Sequence, residues 1–214
     1  MTTTLTHGRI ALALHQLRDG DGRALLLLHE LGGASPSTVP DEVVAWPGPV
    51  HALDFSGHGA SGLARGGGYH PEILMADADA AIAHLGEATV VGWGLGGYVA
   101  LMLAGGRPEA VRGAVIADGR GLAGVAEPGP LQAAPPGPPA TTTPDPLAIV
   151  EMENDLRPPE YAVMFVDLAT HGSGLDAPIS VTATERPPWL EAVLAAPGVT
   201  VAPSIGEALA RYAG

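Results

Sequence analysis

A glycine-rich turn at residues 90–97, with the sequence Val-Val-Gly-Trp-Gly-Leu-Gly-Gly, is the part of this chain whose spacing points most directly to chemistry. We expect an apolar strand to pass through a tight turn into a helix there. That is the setting of a nucleophile elbow, whose pattern is Gly-x-Ser-x-Gly. The flanking glycines fit the pattern, but Gly94 stands at the position of the nucleophile. The turn is recognisable, whereas the side chain that would attack a carbonyl carbon is missing.

The surrounding sequence predicts a doubly wound, mostly parallel α/β sheet, because apolar strand-like runs alternate with helical patterns. The predicted strands cover residues 10–17, 24–28, 50–55, 89–91, 111–117, 179–182 and 199–202. The predicted helices cover residues 40–46, 71–85, 98–104, 147–156, 160–170, 189–195 and 205–212. Ligands of such sheets bind beyond the carboxyl ends of the strands, so function is expected in the loops after residues 28, 91 and 117.

Composition narrows the class of protein. The 214 residues, 46% of them hydrophobic, predict one domain over residues 1–214. A net charge of −13 argues against binding to nucleic acid or to an anionic membrane surface. The chain has no cysteine, which excludes disulfides and thiolate chemistry, and no signal peptide or apolar run of membrane-spanning length is visible. We therefore expect a cytoplasmic protein with a small-molecule ligand and without a metal or cofactor, and homo-oligomerisation is left open.

Three motifs in order resemble the α/β-hydrolase superfamily, over nearly the whole chain. Residues 25–29 look like the strand that enters the family's oxyanion loop. Residues 54–61 look like its Asp-x-x-Gly-His-Gly-x-Ser loop, and residues 90–97 look like its elbow. The resemblance implies the α/β-hydrolase fold. Most relatives carry a helical cap before residue 179, and here residues 119–170 are expected to form a shortened, proline-rich lid.

The resemblance also implies a catalytic triad, and all three of its positions are altered here. The nucleophile position is Gly94. One place where the family puts its acid, residues 183–187, offers only Glu185, and the family's histidine turn corresponds to residues 202–206, which contain no histidine. The last histidine, His171, precedes the acid loop. A single inactivating mutation would have left the acid and the histidine in place, so we predict a naturally degenerate triad without ordinary serine-hydrolase chemistry.

An oxyanion hole is the part of the site that the resemblance predicts to survive. Its backbone N–H donors would come from Leu31, in the loop after the first buried strand, and from Leu95, which follows the elbow position. Donors fixed at a helix N-terminus would still bind a carbonyl or carboxylate oxygen, and Gly94 would leave extra room beneath it. Alternatively, the loop keeps its shape only because the fold needs the turn. Trp93 is expected to pack beside this site rather than to react.

Two carboxylates are candidate catalytic groups. Glu30 stands where the family usually has glycine, and it would act as a general base on water if its surroundings raised its pKa. Asp118 follows a buried strand after which some relatives place the triad acid. The alternatives are a solvated or arginine-paired Glu30 and an Asp118 that only braces the following loop. His29 and His58 are expected to be hydrogen-bonded loop residues with a structural role.

Three hypotheses about function follow from these residues. The first is a degenerate homologue that binds a small carbonyl or carboxylate compound, or a partner protein, in the former active-site cleft. The second is an enzyme without a serine nucleophile, a hydrolase, lyase or isomerase in which Glu30 or Asp118 acts as acid or base. The third is a structural subunit whose elbow region is covered in an oligomer. What fills the space in front of Gly94 discriminates among them.

Overall fold

The structure is a computed structural model that describes residues 1–121, 140–153, 155 and 157–214. Within these residues, eight strands form one sheet: β1 (Thr2–His7), β2 (Ile10–Arg18), β3 (Ala24–Leu28), β4 (Val50–Leu53), β5 (Ala88–Trp93), β6 (Val111–Ala117), β7 (Ile179–Val181) and β8 (Val199–Val201). Their spatial order is β1-β2-β4-β3-β5-β6-β7-β8. β2 pairs antiparallel with β1 and β4. The six neighbouring strands β4, β3, β5, β6, β7 and β8 are parallel to one another. The predicted mostly parallel sheet is confirmed.

Helices cover both faces of the sheet. Within the described residues they are α1 (Pro71–Leu85), α2 (Leu95–Gly106), α3 (Pro146–Glu153), α4 (Pro159–Gly172), α5 (Pro188–Leu194) and α6 (Ile205–Ala210), with a short 3₁₀ helix at Asp41–Val43. None of these helices is long and apolar enough to cross a membrane.

Burial on both faces explains the unbroken apolar runs of the central strands. In β3, Leu26 and Leu28 belong to the core that packs against α1, α2, α4 and α5. The intervening Leu25 and Leu27 belong to the opposite core, together with residues of the 3₁₀ helix and α6. Successive strand residues point to opposite faces, so a strand covered on both sides must be apolar at every position.

The predicted elements agree with the observed ones best where the apolar pattern is unambiguous. β3, α1 and β6 have the predicted bounds, whereas the helix predicted at residues 40–46 shortens to the 3₁₀ turn Asp41–Val43. β1 is absent from the prediction because its threonine-rich sequence lies at a sheet edge with alternate residues exposed. Of the proline-rich loop predicted before α3, residues 128–139 lie outside the described residues.

α2 approaches the sheet so closely that two backbone positions need glycine. A Cβ atom on Gly96 would lie 2.2 Å from the carbonyl oxygen of Leu28 in β3. A Cβ atom on Gly92 would lie 2.1 Å from the carbonyl oxygen of Gly96. The first turn of α2 is therefore pressed against the carboxyl ends of β3 and β5, at the sheet edge where ligands of such folds bind.

We expect Gly96→Ala to lower the free energy of unfolding by about 3 kcal/mol, because the added methyl group overlaps backbone atoms that cannot move aside. Gly206→Ala in α6 is the matched control, since its Cβ would lie 3.6 Å from the nearest atom, the Glu42 carbonyl oxygen. That variant should unfold with unchanged free energy or gain about 0.5–1 kcal/mol from helix propensity. Urea denaturation measures both, and equal losses would contradict the close packing of α2.

Candidate functional site

The turn between β5 and α2 has the backbone of a strained strand-to-helix elbow. Gly94 adopts φ 51° and ψ −113°, a left-handed conformation that favours glycine. Its N–H donates to the carbonyl of Ala117 at the end of β6 (3.1 Å), and its own carbonyl accepts from Tyr98 in α2 (3.1 Å). The predicted elbow is therefore present, and it is tied to the neighbouring strand.

The two N–H groups predicted to form an oxyanion hole converge on one oxygen of the protein itself. Leu31 donates to the carbonyl of Arg120 over 2.9 Å, and Leu95 donates to the same carbonyl over 3.0 Å. Two donors that share one acceptor are the arrangement that stabilises a substrate oxyanion in acyl transfer. Here the acceptor is a backbone carbonyl in the loop after β6, so the hole is already filled.

Three glycines allow this loop, residues 119–121, to lie against the elbow. A Cβ atom on Gly94 would lie 2.4 Å from both the Arg120 carbonyl oxygen and the carbonyl carbon of Gly119. A Cβ atom on Gly119 would lie 2.7 Å from the Gly94 nitrogen, and one on Gly121 would lie 2.6 Å from the Leu95 Cβ. The space that a nucleophilic side chain would need is occupied by the 119–121 loop.

The other polar groups of Arg120 hold the 119–121 loop in place. Its N–H donates to the Glu30 Oε2 over 2.6 Å. Its guanidinium pairs with Glu153 at the end of α3. Arg120 thus joins the loop after β3, the N-terminus of α2 and the C-terminal end of α3. Glu30 is bound to a backbone N–H through one of its two oxygens.

Asp118 braces the loop between β7 and α5. Its carboxylate accepts the backbone N–H groups of Thr184 (2.8 Å) and Glu185 (2.9 Å) and the hydroxyl of Thr184 (2.8 Å). Partial burial raises the pKa of Asp118, but these hydrogen bonds outweigh it and hold the pKa below its ordinary value. Asp118 is therefore ionised near neutral pH and already occupied as an acceptor.

Two buried histidines cross-link the loops through backbone groups. His29 Nδ1 donates to the Glu30 carbonyl (2.7 Å), and its Nε2 accepts the Phe55 N–H (3.1 Å). In the same way, His58 Nδ1 donates to the Ser56 carbonyl (3.1 Å), and its Nε2 accepts the Gly32 N–H (3.2 Å). Burial lowers the pKa of both, that of His29 to about 4. Both rings are neutral and have no nitrogen left for catalysis.

A cavity of about 320 Å³ remains open beside the elbow, and we call it the elbow cavity. It is lined by Leu27, His29, Glu30, Gly33, Ala34, Ser35, Pro36, Pro40, Glu42, Trp93 and Asp118. By contrast, the space that Gly94 itself lines holds only about 40 Å³, which leaves room for little more than a water molecule. The open volume thus lies beside the former nucleophile position and not in front of it.

The structure divides the residues selected from the sequence into two groups. Glu30, Trp93 and Asp118 line the elbow cavity, whereas Leu31 and Leu95 point their N–H groups at the 119–121 loop. The sequence did not predict the role of Arg120, whose only local signal is the glycine on each side of it. It also missed Glu42, a member of the cavity wall. Among the described residues, no cluster of histidines and carboxylates could hold a metal ion.

No protein-family model matches the chain, and no curated protein sequence matches it. Solved structures do. The thioesterase domain from the curacin biosynthetic pathway aligns with 94% of this chain and 92% of its own, at 14% identity and a TM-score of 0.64. A membrane phospholipase A, described as a bacterial virulence factor, aligns with 94% of this chain and 77% of its own, at 16% identity and a TM-score of 0.53. The chain has the α/β-hydrolase fold.

Other hydrolase-fold structures align over a shorter part. A probable hydrolytic enzyme from Pseudomonas aeruginosa aligns with 54% of this chain, at 23% identity and a TM-score of 0.46. The chain spans 40% of that enzyme and 37% of an epoxide hydrolase from Vigna radiata.

The sequence resemblance predicts that the family's histidine position follows β8. Here β8 ends at Val201 and α6 begins at Ile205, so three residues connect them and none is histidine. Ser204 caps α6 by accepting the Glu207 N–H (3.2 Å). His171 lies at the C-terminal end of α4, where its Nδ1 bonds to the Asp167 carbonyl.

We expect Gly94→Ser to create no esterase activity and to lower the free energy of unfolding by more than about 2 kcal/mol, because the side chain overlaps the 119–121 loop. Amide exchange at Leu31 and Leu95 should accelerate as their shared acceptor is displaced. Gly8→Ser is the matched control, since Gly8 has a similar φ of 57° and nothing within 4 Å of its Cβ position. Equal destabilisation by the two variants, or ester hydrolysis by Gly94→Ser, would contradict the filled site.

We expect acid to destabilise the fold through His29. The unfolded histidine takes up a proton near pH 6.5 and the folded one near pH 4, so the free energy of unfolding falls as pH drops through this window, by about 3 kcal/mol in total. Urea denaturation of the wild type and of His29→Gln at pH 7.5 and pH 4 measures this contribution. The variant should be less stable than the wild type at pH 7.5, but its free energy of unfolding should fall less between pH 7.5 and pH 4. An identical loss in both proteins would contradict it.

Proposed function

We propose that this chain is a small-molecule-binding protein of the α/β-hydrolase fold that no longer carries out acyl transfer, and that its ligand occupies the elbow cavity. The observation that carries the proposal is the Arg120 carbonyl, which accepts the N–H groups of both Leu31 and Leu95. A substrate carbonyl would need these same donors in the transition state of acyl transfer.

The missing catalytic groups support the same proposal. Position 94 carries no nucleophile, and no histidine follows His171 in the sequence. His29 and His58, the buried histidines nearest to the site, are both engaged by backbone groups. Since a nucleophile needs a base within hydrogen-bond reach, we infer that the chain is a pseudoenzyme with respect to serine-hydrolase chemistry.

An acid–base enzyme that uses Glu30 or Asp118 is the weaker proposal. Both carboxylates line the elbow cavity, which favours it. However, Glu30 accepts the Arg120 N–H through Oε2, and Asp118 accepts three hydrogen bonds from Thr184 and Glu185. Because its hydrogen bonds hold its pKa below the ordinary value, Asp118 is a poor proton donor, and the bound oxygens of both carboxylates are poorly placed to activate water.

In this proposal the elbow cavity takes the place of the active-site cleft that the sequence resemblance implies. About 320 Å³ is near the lower end of the range of about 300–1,000 Å³ that ligand pockets occupy. A carbonyl or carboxylate compound would have to displace Arg120 to reach the Leu31 and Leu95 donors. A ligand of the elbow cavity leaves that contact intact.

Two measurements test the proposal. A fluorophosphonate probe should not label the protein, as judged by intact mass, and a metabolite library should contain compounds that raise the melting temperature. A ligand at a concentration a hundred times its Kd stabilises by about 2.7 kcal/mol, which corresponds to a shift of about 5 °C or more for a domain of this size.

Cavity-filling variants place the ligand. Ala34→Phe, in the cavity wall, should abolish the shift, whereas Ser37→Phe, exposed in the same loop but outside the wall, should keep it. Covalent labelling would overturn the loss of acyl transfer. The absence of any compound whose shift depends on residue 34 would overturn binding in the elbow cavity.

A further inference from the structure

The charged groups of the elbow cavity all have the same sign. Glu30, Glu42 and Asp118 are the charged residues of its wall, and each is exposed enough to remain hydrated. Among the described residues of its lining there is no arginine, and the chain has no lysine. His29, the other titratable group in the wall, is bonded to backbone atoms through both ring nitrogens. The cavity thus presents negative charge without an internal cation.

The arginine that contacts Glu30 directs its charged group elsewhere. Arg120 donates its backbone N–H to Glu30, but its guanidinium pairs with Glu153 in α3. Among the described residues, Glu42 has no ion-pair partner. The negative charge at the cavity is therefore not neutralised by a side chain in its wall and would favour a cationic ligand over an anionic one.

Trp93 adds an aromatic surface to the wall of the elbow cavity. The chain has three tryptophans, and two of them, Trp46 and Trp189, are 4% exposed and belong to the core. Trp93 is half-buried at the end of β5 and forms part of the cavity wall. An accessible indole beside carboxylates is the combination that recognises organic ammonium ions, since the indole face attracts cations and also packs against an apolar body.

We propose that the elbow cavity binds an organic ammonium ion, with its nitrogen attracted by Glu30, Glu42 and the Trp93 indole and its apolar part against Leu27 and the prolines of the wall. This inference rests on the proposed binding function and adds the chemical class of the ligand. A carboxylate ligand would meet three like charges in the same space, so the charge pattern separates the two classes.

Three probes of nearly equal size test the charge preference: phenethylammonium, the uncharged phenylethanol and the anionic phenylacetate. Titration is followed by calorimetry and by tryptophan fluorescence at neutral pH. We expect phenethylammonium to bind at least about ten-fold more tightly than the other two, because ion pairing and cation–π attraction both require the charge. Its binding should change the fluorescence of the wild type but not that of Trp93→Leu.

Charge-neutralising variants locate the site. Glu42→Gln and Glu30→Gln should each weaken phenethylammonium binding by about five-fold. Glutamine at position 30 keeps an oxygen that can accept the Arg120 N–H, so the 119–121 loop is retained. Glu160→Gln, exposed in α4 far along the chain from the wall, changes the net charge equally and should leave binding unchanged. Melting temperatures verify that the variants are folded.

Any one of four results would overturn the ammonium inference. Equal binding of the alcohol and the ammonium ion, tighter binding of phenylacetate, a lack of phenethylammonium binding, or equal weakening by Glu160→Gln would each do so. The proposed function is judged separately, by the library screen with Ala34→Phe and Ser37→Phe. A compound of another class that binds in the elbow cavity would leave that function standing while the ammonium inference fails.

Discussion

The hydrogen bonds from Leu31 and Leu95 to the Arg120 carbonyl are the contact on which the carboxyl edge of the sheet depends. The first N–H groups of a helix have no partner within the helix, and a buried donor left without one costs about 1–3 kcal/mol. In a working hydrolase of this fold, such donors are reserved for the substrate. Here a single carbonyl satisfies both, at the positive end of the α2 dipole, which also favours a partially negative oxygen.

The contact of the Arg120 carbonyl with Leu31 and Leu95 depends on the glycine at position 94. The Arg120 carbonyl can approach Leu95 only because position 94 has no Cβ, and a serine there would occupy the space of the 119–121 loop. Gly119 and Gly121 complete the approach from the other side. A serine at position 94 and a carbonyl in the oxyanion hole therefore exclude each other. Gly94 is therefore a packing requirement of this structure.

The sequence predicted what local patterns encode and missed what depends on distant contacts. The unbroken leucines of β3 and the proline at the start of α1 determined those elements to the residue, and the glycines at 92 and 96 marked the elbow. β1 was not predicted because a threonine-rich segment with alternate residues exposed resembles a loop. The role of Arg120 depends on three segments, near residues 30, 95 and 120, meeting in space. No spacing within one segment could predict that a backbone carbonyl would fill the hole.

Filling the hole from within also determines which ligands can still be accommodated. A carbonyl compound competes with Arg120 for two N–H donors and gains little, because one pair of hydrogen bonds replaces another. A ligand of the elbow cavity does not need the N–H groups of Leu31 and Leu95. It meets Trp93 and the exposed residues Glu30, Glu42 and Asp118, while Glu30 continues to hold the 119–121 loop through Oε2. The contact that fills the predicted oxyanion hole thus leaves an adjoining surface lined by carboxylates and an indole, whose charge favours cations over anions.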